Sequence, residues 1–306
     1  MHVPDHMLNG PICPVTAVVS TVGIATATYF ALKSKEKPTA LQLGGIGSLI
    51  FAAQMMNYPI QNGTSGHLIG STLAVALLGW PFGVLVMTIV LLIQTLIFSD
   101  GGLTVLGANV LNMAIIGSIC GGIAHKLFLQ NEKIKPIIKY TSLGIASWLS
   151  VILAALACSL ELSFAGVIPI LKVLPAMLGI HALIGIGEAL ITIAVYMLLS
   201  SKKITDSKKT SFIIPLLMSG VIGLILSPFA SGFPDGLEWI AEKYTFLHES
   251  TPAFTGLMPD YTIPIIKNEI LSTALAGISG VIITFLIISI IGISIFLIHT
   301  NKFNKQ

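Results

Sequence analysis

Charge is scarce in this chain of 306 residues: only 9% are charged, and arginine is missing altogether. Cysteine occurs three times, as the isolated Cys13, Cys120 and Cys158, which fits neither a disulfide framework nor a thiolate metal cluster and leaves packing as their role. No Gly-x-x-x-x-Gly-Lys-Ser/Thr phosphate loop is present, so the chain cannot by itself be a P-loop ATPase. His-Glu-x-x-His and Gly-x-Ser-x-Gly are missing too; intramembrane proteolysis and hydrolysis therefore lack support, and no enzymatic role is expected. Nor is there a basic surface laced with aromatics of the kind that binds nucleic acid.

What the chain has in abundance is apolar sequence. Hydrophobic residues make up 54% of it, in runs long enough to cross about 30 Å of hydrocarbon as helices. The expectation is an all-α polytopic membrane protein with about nine spans, over residues 14–33, 40–58, 67–80, 82–99, 103–128, 137–160, 172–200, 211–231 and 269–299. The third span is short if it ends at Trp80-Pro81, so the stretch from His67 to Phe98 also reads as a broken or re-entrant hairpin. The first apolar run starts after Pro14 with no basic stretch before it; it does not read as a cleaved signal, and Met1 is expected to stay on the chain.

Thirteen of the sixteen lysines follow alternate spans: Lys33, Lys35 and Lys37; Lys126, Lys133, Lys135 and Lys139; Lys202, Lys203, Lys208 and Lys209; Lys302 and Lys305. By the positive-inside rule these mark the cytoplasmic side, which puts the N-terminus outside and the C-terminus inside. The remaining Lys172, Lys243 and Lys267 lie in acidic segments. A polar stretch at 201–210 reads as a cytoplasmic linker between a seven-span unit, 1–200, and a two-span unit, 211–306. The second unit carries the one long external segment, Gly232 to Lys267, with Pro234-Asp235-Gly236 as a turn signal and a short amphipathic helix from Leu237 to Tyr244.

The residues with the most chemistry sit at the start. The Met1 amine, the His2 backbone nitrogen and His2 Nδ1 can close two adjacent chelate rings, of about five and six atoms, around one ion, and the His67 imidazole would complete four donors. A peptide nitrogen ligates only after losing its proton, and a planar all-nitrogen field suits Ni²⁺ or Cu²⁺ rather than tetrahedral Zn²⁺ or oxygen-seeking Mg²⁺. Because α-amino groups lose their proton at about pH 8, binding should release protons and weaken on acidification. Each histidine alone is poor support for a site, but the topology puts both on the outer side. Gly63 and Gly66 would let the backbone come close, with Thr64 and Ser65 orienting the imidazole. His6 is an alternative donor facing the headgroups, and Asp5 a cap on the local turn.

Inside the membrane, His181 and Glu188 share a face of the seventh span beside Gly179, Gly185 and Gly187. Ionisable groups there call for a functional explanation: either a buried pair that locks helices together or part of an ion path. Asn57, Asn109 and Asn112 invite the same two readings, with interhelical hydrogen bonding preferred. Gly23, Ala27 and Ala31 on the first span and Gly44, Ser48 and Ala52 on the second offer close helix contacts, to a scaffold subunit or within the chain.

Several motifs in order resemble the CbiM/NikM family, the metal-capturing membrane component of energy-coupling factor transporters for cobalt and nickel. They are Met1-His2-Val3-Pro4-Asp5; Phe51 through Ile60 leading into Gly63-Thr64-Ser65-Gly66-His67-Leu68; Asp100-Gly101-Gly102-Leu103 with Leu106-Gly107-Ala108-Asn109; and His181 through Gly187-Glu188-Ala189. The likeness covers residues 1 to 200 and implies that the Met1 amine, the His2 nitrogens and the His67 ring hold the ion, with Ser65, Asn57, His181 and Glu188 as neighbours or path. Phe233-Pro234-Asp235-Gly236-Leu237-Glu238 is similar to the PDGLE signature of a small partner protein, here fused as a NikN-like module. His6 departs from the glycine common in relatives.

That resemblance implies a multi-pass protein of the prokaryotic cell membrane with no permanently bound cofactor. Ni²⁺ or Co²⁺ is the substrate, and ATP is used by two cytoplasmic ATPase partners joined to a membrane scaffold subunit. The fused module and the planar donor set favour nickel. The N-terminal segment is expected to fold inward as a plug, while no residue of the PDGLE segment offers a convincing site. A competing reading is an ion-coupled secondary transporter with His181 and Glu188 as a proton relay; another is a membrane assembly subunit that transports nothing.

Overall fold

The computed structural model describes residues 1–61, 63–201, 210–246 and 252–303, with backbone alone for 210 and 295–303. The expected linker lies outside the described residues except for Ser201 and Thr210, as do Lys202, Lys203, Lys208, Lys209 and Lys305. Helices dominate, as the apolar runs require, because a backbone in hydrocarbon must satisfy its own hydrogen bonds. In chain order they are α1 (Ile12–Lys33), α2 (Ala40–Gln54), α3 (Ser71–Leu78), α4 (Trp80–Phe98), α5 (Leu106–Leu129), α6 (Pro136–Phe164), α7 (Ile170–Leu199), α8 (Ser211–Phe229), the short α9 (Gly236–Lys243) and α10 (Glu269–Phe303).

Seven of these, all but α2, α3 and α9, are long and apolar enough to cross a membrane among the described residues. The second and third expected spans are shorter than read. α2 has 15 residues, about 22 Å of helix, and α3 has eight, about 12 Å. Between them the chain runs as extended backbone down into the bundle, with Tyr58–Pro59 paired antiparallel to Ser65–Gly66. α3 then turns into α4 at Gly79, whose φ of 82° is left-handed, just before Pro81 in the first turn of α4. The stretch from His67 to Phe98 is thus the broken hairpin that Trp80-Pro81 suggested.

Two helix ends explain how the dipping loop is held. Glu188, on α7, accepts from the Ile69 and Gly70 backbone N–H groups at 2.6 and 2.9 Å, so it serves as the missing cap of α3. Gln54, at the end of α2, donates Nε2 to the Ile69 carbonyl at 2.7 Å.

The small residues on α1 and α2 pack within the chain. A Cβ on Gly23 would run into Ile115, Ala27 and Ala31 are buried, and Gly44 and Ser48 face α10 at Ser289, Phe285 and the Val281 carbonyl. The cysteines are free, with Cys158 fully buried, as packing residues would be.

The N-terminal segment, the α2–α3 loop, the α4–α5 loop and the segment from Ala230 to Asn268 meet at one end of the bundle through hydrogen bonds. Lys37 and Lys126 line a cavity at the opposite end. α9 forms where the amphipathic stretch predicted it. Pro234-Asp235-Gly236 is its start rather than a free turn, because Asp235 Oδ1 accepts from Leu237 and Glu238 N–H while Glu238 returns a bond to the Asp235 N–H, a capping box.

Candidate metal site

The chain's first three residues are folded inward and buried: Met1, His2 and Val3 are 5%, 8% and 0% exposed. Asn109 on α5 holds the segment by its backbone, accepting from Val3 N–H at 2.8 Å and donating to the Val3 carbonyl at 3.0 Å. Gly102 N–H donates to the same carbonyl at 2.9 Å. A Cβ on Gly102 would collide with the Asp5 backbone, so only glycine admits this approach. Asp5 is not a local cap: its Oδ1 accepts from Thr104 N–H and hydroxyl at 2.9 and 2.7 Å, and its Oδ2 from Ala253 N–H at 3.1 Å.

At the tip, the Met1 amine lies 2.5 Å from His67 Nε2 and 2.6 Å from Asp235 Oδ2. His67 Nδ1 donates to the Leu68 carbonyl at 3.0 Å, which aims the Nε2 lone pair at the amine. That carbonyl does the orienting expected of Thr64 and Ser65. Ser65 instead bonds to the PDGLE segment, from its hydroxyl to the Phe233 carbonyl and from its N–H to the Pro234 carbonyl. Gly63 uses a φ of +76°, and Gly66 leaves room for Ile184.

The His2 ring stacks on His67 with centroids 5.2 Å apart. Its Nε2 lies 3.2 Å from Gln94 Oε1 and its Nδ1 3.1 Å from Asp100 Oδ1. With hydrogen on Nε2, the Nδ1 lone pair faces a carboxylate, an arrangement that a cation between them would stabilise; with hydrogen on Nδ1, that atom donates to Asp100 and cannot ligate. Tyr261 fixes the far side, donating to Asp100 Oδ2 and accepting from Gln94.

Burial, then the adjacent amine, lowers both rings to a pKa of about 3. Both imidazoles are therefore neutral, as metal ligation requires. Burial would raise Asp235, but the Met1 amine beside it prevails and holds the carboxyl well below its ordinary range. Asp100 is raised by burial, offset in part by the Tyr261 hydroxyl. Glu238 and Asp260 are also raised, by burial and then by Asp235 and Asp100 respectively.

The other expected residues divide. Asn57 lines the same end and its carbonyl accepts from Ser231 N–H. His6 is exposed, at a left-handed φ of 65°, outside the tip. His181 and Glu188 do not pair: His181 Nδ1 donates to the Met177 carbonyl, while both Glu188 oxygens serve the loop. Asn112 does bridge helices, donating to Glu161 at 2.7 Å.

Sequence reasoning missed Asp235, Asp100, Gln94 and Tyr261. Asp235 brings the PDGLE segment, from which no contribution was expected, into contact with the Met1 amine. Its place inside that signature was the available signal. Among the described residues, no three His, Cys, Asp or Glu side chains lie together as a metal cage.

Solved structures with this arrangement of helices are transition metal transporters. A truncated one matches with a TM-score of 0.56 and 32% identity, covering 65% of this chain and 98% of its own. A second matches with a TM-score of 0.57 and 30% identity, covering 70% and 99%. The fold is that of a multi-pass transition-metal transport protein.

Residues 2–205 match the family described as cobalt uptake substrate-specific transmembrane region, CbiM, and residues 209–297 match the PDGLE domain. The chain belongs to the CbiM family of nickel and cobalt transport proteins, in its form fused to a PDGLE domain. Its relatives include a protein named as the fused nickel transport protein NikMN of Archaeoglobus fulgidus, 34% identical over 92% of this chain and 95% of its own. Another is the fused nickel transport protein LarMN of Lactiplantibacillus plantarum, 30% identical over 94% and 96%. A cobalt transport protein CbiM of Archaeoglobus fulgidus is 32% identical over 64% and 93%.

Proposed function

We propose that the chain captures Ni²⁺, in preference to Co²⁺, at the outer face of the membrane and passes it inward for import powered by ATP-binding partner subunits. The donors are the Met1 amine, the His2 backbone nitrogen, His2 Nδ1 and His67 Nε2. The observation that supports it best is the Met1 amine buried between His67 Nε2 and Asp235, which brings two of the proposed donors together beside a carboxylate. An ion displaces one proton from that amine and another from the His2 amide, leaving a complex of net charge about +1 beside Asp235 and Asp100. Four nitrogens in a plane favour Ni²⁺. The lysines Lys37 and Lys126 at the opposite end support placing the site outside. In this reading two cytoplasmic ATPases, coupled through a membrane scaffold subunit, hydrolyse the ATP, and the chain carries no phosphate loop of its own.

The test is calorimetric titration of the purified full chain with Ni²⁺ and Co²⁺, repeated with one residue added before Met1 and with His67→Ala. In the unaltered chain His67→Ala should weaken binding by about a hundredfold or more, whereas after the extension, which lets two amides and the histidine close a planar set without His67, any remaining Ni²⁺ binding should no longer respond to His67→Ala. Binding to the unaltered chain that is indifferent to His67→Ala refutes the reading.

A further inference from the structure

Tyr261 belongs to the PDGLE domain, yet its hydroxyl is bonded to residues of the CbiM region. The segment that carries it is stapled to the end of α4: Gly256 N–H donates to Ser99 Oγ and Met258 N–H to the Ile97 carbonyl, both at 2.8 Å. Asp260 and Tyr261 both adopt a left-handed φ, of 51° and 55°, a strained choice for a bulky side chain that persists only where the surroundings impose it. The Tyr261 ring stacks on Phe98 with centroids 4.9 Å apart and leans on Phe51. What this packing places is one hydroxyl between Gln94 and Asp100, the two residues that flank the His2 ring.

A neutral imidazole has one ring hydrogen, and here two acceptors compete for it: Gln94 Oε1, 3.2 Å from Nε2, and Asp100 Oδ1, 3.1 Å from Nδ1. Only hydrogen on Nε2 leaves Nδ1 free to ligate. The Tyr261 hydroxyl weights this competition twice, each time in the same direction. Its single hydrogen goes to Asp100 Oδ2, which stabilises the carboxylate and makes it a weaker acceptor towards Nδ1. With that hydrogen given away, the hydroxyl can only accept from Gln94, so the amide turns Nε2 to Tyr261 and Oε1 to His2. Gln94 is fully buried, and its Oε1 goes without a partner unless His2 supplies the hydrogen. The Asp100 side chain is 24% exposed, so its Oδ1 has water to turn to.

We infer that Tyr261 is a positioning residue for metal capture: through Gln94 and Asp100 it selects the His2 tautomer with hydrogen on Nε2, the one whose Nδ1 can bind the ion. The inference rests on the capture reading above and gives the PDGLE domain a task within it. An ion that meets the other tautomer has first to drive the hydrogen from Nδ1 to Nε2, and that cost weakens its binding.

The test compares the full chain with Tyr261→Phe, Gln94→Met and the double variant. Tyr261→Phe keeps the ring against Phe98 and removes only the hydroxyl; Gln94→Met removes the acceptor at nearly constant volume. Two quantities are read: the nitrogen NMR shifts of the His2 ring before Ni²⁺ is added, assigned by their loss in His2→Ala, and the Ni²⁺ affinity by calorimetry. In the unaltered chain His2 should carry its hydrogen on Nε2. In each single variant the hydrogen should move to Nδ1, and Ni²⁺ affinity should fall by about tenfold to a hundredfold. Because both substitutions act on the same hydrogen, the double variant should bind no more than about twofold more weakly than the weaker single one. Hydrogen on Nδ1 in the unaltered chain, or a tautomer that Tyr261→Phe leaves in place, overturns the inference. So does a tautomer shift without loss of affinity, and so do losses that add fully in the double variant, which would make the two residues independent supports of the fold. The tautomer is read without the ion, so the two readings fail separately. Binding indifferent to His67→Ala sinks the capture reading and leaves the tautomer shift standing; an unmoved tautomer sinks the role of Tyr261 and leaves capture standing.

Discussion

Glu188 shows how one side chain separates two mechanisms. A buried carboxylate on a membrane helix suits a proton relay, but here both its oxygens are committed to the backbone N–H groups of Ile69 and Gly70, two and three residues beyond His67. The carboxyl group anchors the loop that carries His67. Glu188→Gln supplies one oxygen where two are needed and leaves an N–H without an acceptor, a loss of about 1–3 kcal/mol. The expected outcome is a lower unfolding midpoint and weaker Ni²⁺ binding, with uptake falling only as far as binding does. Uptake abolished while binding persists would restore the relay. Asp235 teaches the complementary lesson. A carboxylate in the C-terminal domain holds the first amine of the chain, a contact between residues 234 positions apart that no local pattern announces.

Among the elements, the N-terminal segment is the one whose docking depends on pH. Free imidazoles titrate at about 6.5, whereas His2 in the docked segment and His67 in the loop beneath it do so at about 3. Below about pH 6.5 the undocked segment therefore takes up protons that the docked one refuses, so docking is fully stable above that pH and weakens as the pH falls towards about 3. Asp235 works in the opposite sense, its contribution being present above the ordinary carboxylate range and lost only below it; between pH 7.5 and 5 the imidazoles decide. Protection of the residue 1–8 amides against hydrogen exchange, taken relative to the intrinsic rate at each pH, should fall from pH 7.5 to 5 in the chain without added metal and be restored by Ni²⁺. A flat profile would mean that the rings are not buried as described. The capping box of α9 and the Glu188 anchor of α3 are the fixed parts against which the segment moves.

Across the whole molecule, the end that holds Met1 and the end lined by Lys37 and Lys126 lie opposite one another, and labelling can assign each to a side of the membrane. In a chain with Cys13, Cys120 and Cys158 replaced by serine, an impermeant thiol reagent should label Phe254→Cys on intact cells and Lys35→Cys only after permeabilisation. The reverse pattern would place the site in the cytosol and end the capture proposal. Membrane character and helical class were legible in the chain alone, because apolar length is a local property that the bilayer reads directly. So was the pairing of Met1 and His2 with His67, because chelate rings follow from covalent spacing and His67 belongs to a motif that Gly63 and Gly66 mark. Two features came from the tertiary structure alone: the shortening of α2 and α3 into a loop that dips into the bundle, and the ring of Asp235, Asp100, Gln94 and Tyr261 around the tip. Both depend on groups far apart in sequence meeting in a low-dielectric interior, where a buried amine or backbone N–H must find a partner and only the packed fold determines which one is within reach.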